Sequence, residues 1–178
     1  PVFLLSVGMG AYIVSSVEPE FEANSSLVLL SPATAIGPQN QVSQVNPLAQ
    51  FSPAQEQTAA IVAARIATDS VRKEFAKNGL DPSYEISDPG APQFTITVTN
   101  KSKKIATTTI TELQKTAVSE LEAIQREVGA PETDFLTIRP ITEIQVIQSN
   151  SARTRAVAAI AVLGILATLG SAFLFEGI

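Results

Sequence analysis

The side chains able to do chemistry are few and of restricted kinds. The chain of 178 residues contains no His and no Cys, which excludes imidazole bases, thiol nucleophiles, disulfides and the common zinc ligand sets. A Ser-His-Asp or Cys-His triad cannot be assembled from it. Any reaction would rest on Asp, Glu, Lys, Ser, Thr or Tyr, and these show no clustering that suggests a catalytic site. There is no glycine-rich phosphate loop, paired metal-ligand motif or nucleophile elbow, so no cofactor or metal is expected.

Three groups of residues are instead candidates for binding and assembly. Lys101, Lys103 and Lys104 are the densest basic patch and follow a Thr-rich stretch. They suit contact with an anionic glycan, lipid headgroups or a partner subunit, or else form a solvated turn that keeps a sheet edge soluble. Glu18, Glu20 and Glu22 alternate where a first apolar segment ends, and Arg153 and Arg155 precede a second. Pairing between these two sets would fix the register of two stalks while adding only ~0 to 1 kcal/mol per exposed pair; a solvated collar is the equal alternative. Gly164 with Thr168 and Ala167 with Ser171 are small residues four apart, a spacing that lets helices approach closely in lipid.

The elements that would position these residues follow from the distribution of hydrophobicity. The chain is 45% hydrophobic and only 16% charged, with a positive mean hydropathy of +0.22, a combination that favours membrane embedding. Ala156–Phe175 has 20 residues without a charge, which as a helix spans about 30 Å, the thickness of a bilayer's hydrocarbon core. Residues 1–17 are also uncharged but reach only about 26 Å, and because the chain opens on Pro1 this first span is expected to begin before it. Every charged residue except Glu176 lies in 18–155. The expectation is therefore a multi-pass membrane protein with spans at 1–17 and 156–175 and a water-facing domain at 18–155. Arg153 and Arg155 beside the second span would by themselves place that domain in the cytoplasm, but long loops translocate largely regardless of charge, and the outside is favoured. The net charge of -5 and pI near 4.8 argue against nucleic acid as a partner.

Within 18–155 the patterning alternates strands and helices. Phe21–Leu30 reads as a strand with Phe21, Ala23, Leu27 and Leu29 on one face. Residues 31–51, rich in Pro, Gln and Asn, read as a loop. Ser52, Pro53 and Gln55 then signal a helix start with a capping box, and Gly79 a stop near Asn78. The expected buried face of that single helix is Ala60, Ala63, Ala64, Ala67, Val71 and Phe75, with Arg65, Asp69, Arg72 and Lys73 in water. A short strand at Tyr84–Ser87, an Asp88-Pro89-Gly90 turn and the strand Gln93–Thr99 follow. A helix from about Ser102 to Val128 buries Ile110, Leu113, Ala117, Leu121, Ile124 and Val128, and Phe135–Gln148 is a last strand interrupted at Pro140. The order strand, helix, strand, strand, helix, strand is the ferredoxin-like β-α-β-β-α-β arrangement, an α+β class in which helices cover one sheet face.

Two terminal spans around such a domain, together with the segment Pro19-Glu20-Phe21-Glu22-Ala23-Asn24-Ser25-Ser26-Leu27-Val28-Leu29, resemble the Wzz-type chain-length determinants, or polysaccharide co-polymerases, in their short Gram-positive form. The resemblance covers essentially the whole chain. It implies a non-enzymatic membrane scaffold in a bacterial plasma membrane that oligomerises and regulates the chain length or export of a cell-surface polysaccharide. The partners it implies are a polysaccharide polymerase, an exporter or a cytoplasmic tyrosine kinase. Ser149–Arg155 lacks the proline usual before the second span in that family, and the long distal helices of its larger members are missing. Those departures motivate a second reading, an accessory or assembly subunit of a larger membrane complex that uses the same domain as an interaction module.

Overall fold

The computed structural model describes residues 18–36, 42–149, 154 and 158–166. Residues 22–147 form one compact unit, and the other described residues fall in a second. The strands are β1 (Glu20–Leu30), β2 (Thr34–Ile36), β3 (Val42–Gln44), β4 (Glu85–Ala91), β5 (Gln93–Asn100), β6 (Thr137–Pro140) and β7 (Gln145–Ser149), and the helices between them are α1 (Pro53–Ile66), α2 (Asp69–Lys77) and α3 (Lys103–Glu127). The fold is mixed α+β, with strand order β4-β5-β1-β6 and β7 also paired with β1. β1 runs antiparallel to β6, and β4 antiparallel to β5.

The alternation of side chains across the strands decides which sheet face is covered. Ala23, Leu27 and Leu29 of β1, Phe94, Ile96 and Val98 of β5 and Ile138 of β6 point inward and are buried with Ala59, Val62, Ile66, Ile110, Leu113, Ala117 and Leu121 from the helices. Each large member of this set stabilises the fold by roughly 1.5–3 kcal/mol relative to exposure. Thr95, Thr97 and Ser26 face away from the helices, and the Ser26 and Thr95 hydroxyls hydrogen-bond at 2.9 Å. The strand over Phe135–Gln148 is interrupted as expected after Pro140, where β6 ends; Ile141 N–H then donates to Ser26 O at 2.8 Å.

Helix ends follow the sequence signals closely. The Ser52 side chain accepts from Gln55 N–H while Gln55 Oε1 accepts from Ser52 N–H at 2.7 Å, a complete capping box. Gly79 and Gly129 take φ near +70°, and the N–H groups of Leu80 and Ala130 reach back to Phe75 O and Gln125 O at 2.9 and 3.0 Å, the Schellman closure.

Four expectations are corrected. The single helix expected over 52–78 is two, because Thr68 takes an extended backbone (ψ 151°) and starts α2 afresh with Asp69 in its first turn. Its buried face is rotated: Val62 and Ile66 carry more apolar surface than the alanines and take the core, leaving Ala64 exposed. The loop over 31–51 contains the antiparallel pair β2-β3 and a short 3-10 turn at Pro47–Ala49. The Asp88-Pro89-Gly90 turn lies inside β4, whose register jumps between Ser87 and Ala91; Pro89 has no N–H for the ladder, and β4 is an edge strand where such a bulge is tolerated.

The expected multi-pass placement in a membrane is also corrected: among the described residues no helix is long and apolar enough to cross one. Within 156–175 the described helical residues are 158–166, and the rest of that expected span lies outside the described residues. The span expected at 1–17 lies outside the described residues.

Candidate functional site

The lysine patch sits on a turn that the fold holds firmly. Ser102 caps α3 by accepting from Ile105 N–H at 3.4 Å, and its own N–H donates to Asn100 Oδ1 at 2.8 Å. Asn100 Nδ2 donates to Asp81 Oδ2 at 2.6 Å. Asp81, only 8% exposed, also accepts from Ser83 N–H at 2.8 Å, and its N–H donates to Thr109 Oγ1 at 3.0 Å. The buried Asp81 therefore ties the β5–α3 turn to the chain leaving α2 through its carboxylate, and that chain to the second turn of α3 through its backbone N–H. From this turn Lys101, Lys103 and Lys104 project as exposed residues.

Lys103 and Lys104 are the first two residues of α3, and its first turn holds no acidic residue. The unpaired N–H groups of a helix N-terminus carry about half a positive charge, so cations there are disfavoured by roughly 0.3–1 kcal/mol each. The result is a concentrated positive end, suited to a carboxylate or another anion.

On the same unit, a cleft of about 370 Å³ opens between α2 and α3, lined by Glu74, Phe75, Asn78, Leu80, Glu112 and Thr116. Phe75 is buried and half-buried Leu80 packs against the core, so the cleft offers a small apolar surface beside the carboxylates of Glu74 and Glu112. Glu112 accepts from Lys115 at 2.7 Å within its own helix. Glu74 makes no ion pair among the described residues. The cleft suits a cation with an apolar stem. Sequence reasoning missed it because Glu74 and Glu112 lie on separate helices and share no local pattern.

Other polar groups serve the fold. Where α1 breaks from α2, Arg72 donates to Ala67 O, Pro82 O and Tyr84 O at 3.2, 2.6 and 3.0 Å, and its guanidinium lies 4.3 Å from the centre of the Tyr84 ring. The Tyr84 hydroxyl donates to Ile66 O. Burial raises the Tyr84 pKa, and the Arg72 charge opposes that rise. Arg65 bridges α1 to Glu127 at 2.6 Å and Glu120 at 3.4 Å on α3. Its hydrogen bond to Glu127 holds that carboxyl below its ordinary range, and the same bond raises the pKa of Arg65. Among the described residues no buried side-chain polar atom lacks a partner, and no group of His, Cys, Asp or Glu is arranged to hold a metal ion.

The other expected residues fall only partly within the described residues. Glu18 is exposed, and Glu20 and Glu22 are half-buried at the start of β1, while Arg153 and Arg155 lie outside the described residues. Gly164 is half-buried in the described helical stretch; Ala167, Thr168 and Ser171 lie outside the described residues. Compared with protein-family models and with curated proteins, the chain matches none.

Proposed function

We propose that the protein is a non-enzymatic scaffold that self-associates and regulates the chain length or export of a polysaccharide, in the manner of the chain-length determinants its sequence resembles. The observation that carries this reading is the division of labour among its polar residues. The buried ones, Ser25, Gln55, Asp81, Thr109 and Gln125, all have partners within the fold, while Lys103 and Lys104 on the one hand and Glu74 and Glu112 on the other are surface groups of opposite sign on one compact unit. Patches of that kind suit association between proteins.

The strand path β4-β5-β1-β6 with α1 and α3 against its inner face supports reading the unit as a ferredoxin-like domain, with β1, β4, β5 and β6 as the four strands of the β-α-β-β-α-β order. Such a domain presents helices and a sheet face to neighbouring subunits. A polymerase or an exporter of the glycan is the partner that this role requires. Deletion of the gene is expected to alter the length distribution of the polysaccharide on a gel. Unchanged glycan length and amount would contradict the proposal.

A further inference from the structure

Two features of α3 are left unexplained by the fold. The first is the pair Lys103 and Lys104, exposed at the helix end where the backbone dipole disfavours cations, with no acidic residue in the first turn to offset them. The second is the cleft in which Phe75 and Leu80 lie beside the carboxylates of Glu74 and Glu112. Neither the helix nor the core needs a pair of lysines in the first position or an open acidic notch in the second.

We infer that the cleft receives Lys103 and Lys104 of a second copy of the chain. This rests on the scaffold reading above and names the contact through which copies associate. The signs are complementary, and so are the shapes: a lysine lays its four-carbon stem along apolar surface while its ammonium stays at a polar rim. Half-buried Leu80 offers that surface and Glu74 and Glu112 the rim, where Lys115 already accompanies Glu112.

Donor and acceptor patches are distinct, and α3 contributes to both. Glu112 follows Lys103 by nine positions, about 13 Å along the axis at ~1.5 Å per residue. The contact is either reciprocal, a two-fold dimer in which each copy's lysines occupy the other's cleft, or heterologous, in which one copy's lysines occupy its neighbour's cleft while its own cleft stays available to the next copy. Repetition of a heterologous contact yields a ring if the rotation closes and a filament if it does not.

The test uses the full chain and two variants, E74K/E112K and K103E/K104E, with circular dichroism verifying that each folds. Sedimentation across a concentration series is expected to show the wild type associating, and each variant alone associating roughly tenfold more weakly because like charges then meet. An equimolar mixture of the two variants restores association, since each lysine patch again faces an opposite cleft. In ~1 M salt, where the Debye length shrinks to about 3 Å, the wild-type association weakens.

Variants that associate singly as well as the wild type, or a mixture that stays dissociated, would overturn the contact while leaving the scaffold reading in place. A wild type that remains monomeric at every concentration overturns both. Should charge reversal prevent folding, E74Q/E112Q and K103Q/K104Q replace the pair; each is expected to weaken association, and wild-type behaviour in both overturns the contact.

Discussion

The crossing from α1 to β4 and the first turn of α3 both carry charge, yet they use it in opposite ways. At the crossing, Arg72 and Asp81 are spent inside the fold: the guanidinium satisfies Ala67 O at the break between α1 and α2 and the Pro82 and Tyr84 carbonyls beyond α2, and the carboxylate collects N–H groups from two separate turns. At the start of α3, Lys103 and Lys104 satisfy nothing in the helix and stand against its dipole. A charge that stabilises the fold is accounted for by the fold. One that opposes it calls for a partner.

Substitutions separate the two regions by size and sign. Asp81→Ala leaves Asn100 Nδ2 and the Ser83 N–H without their acceptor in a buried site, and is expected to lower stability by about 2–4 kcal/mol in chemical denaturation. A loss under about 0.5 kcal/mol would show that the network is incidental. Arg72→Ala strips three backbone carbonyls of a donor at a half-buried site and removes the stacking on Tyr84, so a loss of about 1–3 kcal/mol is expected. Hydrogen exchange should then rise first at the end of α1.

The lysines should behave in the reverse sense. K103E/K104E is expected to raise the thermal midpoint of the unassociated chain slightly, by an amount equivalent to several tenths of a kcal/mol per residue, even as it weakens association. A variant less stable than the wild type would mean that the lysines serve the fold after all. The smallest effect belongs to the Arg65–Glu127 pair, which is solvent-exposed. Glu127 has its folded-state pKa depressed by the Arg65 hydrogen bond, so its contribution is present above the ordinary glutamate range and is lost as pH falls through the folded value. The stability difference between wild type and R65A should therefore shrink as acid is added across that window, and a difference independent of pH would exclude the pair as its source.

Much of the fold was legible because its signals are local. The Thr-alternating strand at 93–100, the Ser52–Gln55 capping box and the glycine stops at 79 and 129 each act within one turn or one strand, and each stands where its residues indicate. What escaped depends on contacts made across the chain. The break at Thr68 is invisible to helical periodicity, because Arg72 and Tyr84 capture the freed carbonyls only once β4 has packed nearby. Arg72 accordingly reads as a water-facing cation.

The candidate site divides along the same line. A cluster such as Lys101, Lys103 and Lys104 is visible as a run, whereas Glu74 and Glu112 acquire a common meaning only when α2 and α3 are side by side. The apolar run at 156–175 was legible as composition; within it the described residues, 158–166, are helical.

Self-association is the central claim, and native mass spectrometry of the purified full chain tests it most directly. A scaffold that docks lysines into a neighbour's cleft predicts species at whole multiples of 18.8 kDa that diminish in K103E/K104E and return when E74K/E112K is added. A single 18.8 kDa species for the wild type at every concentration would contradict it.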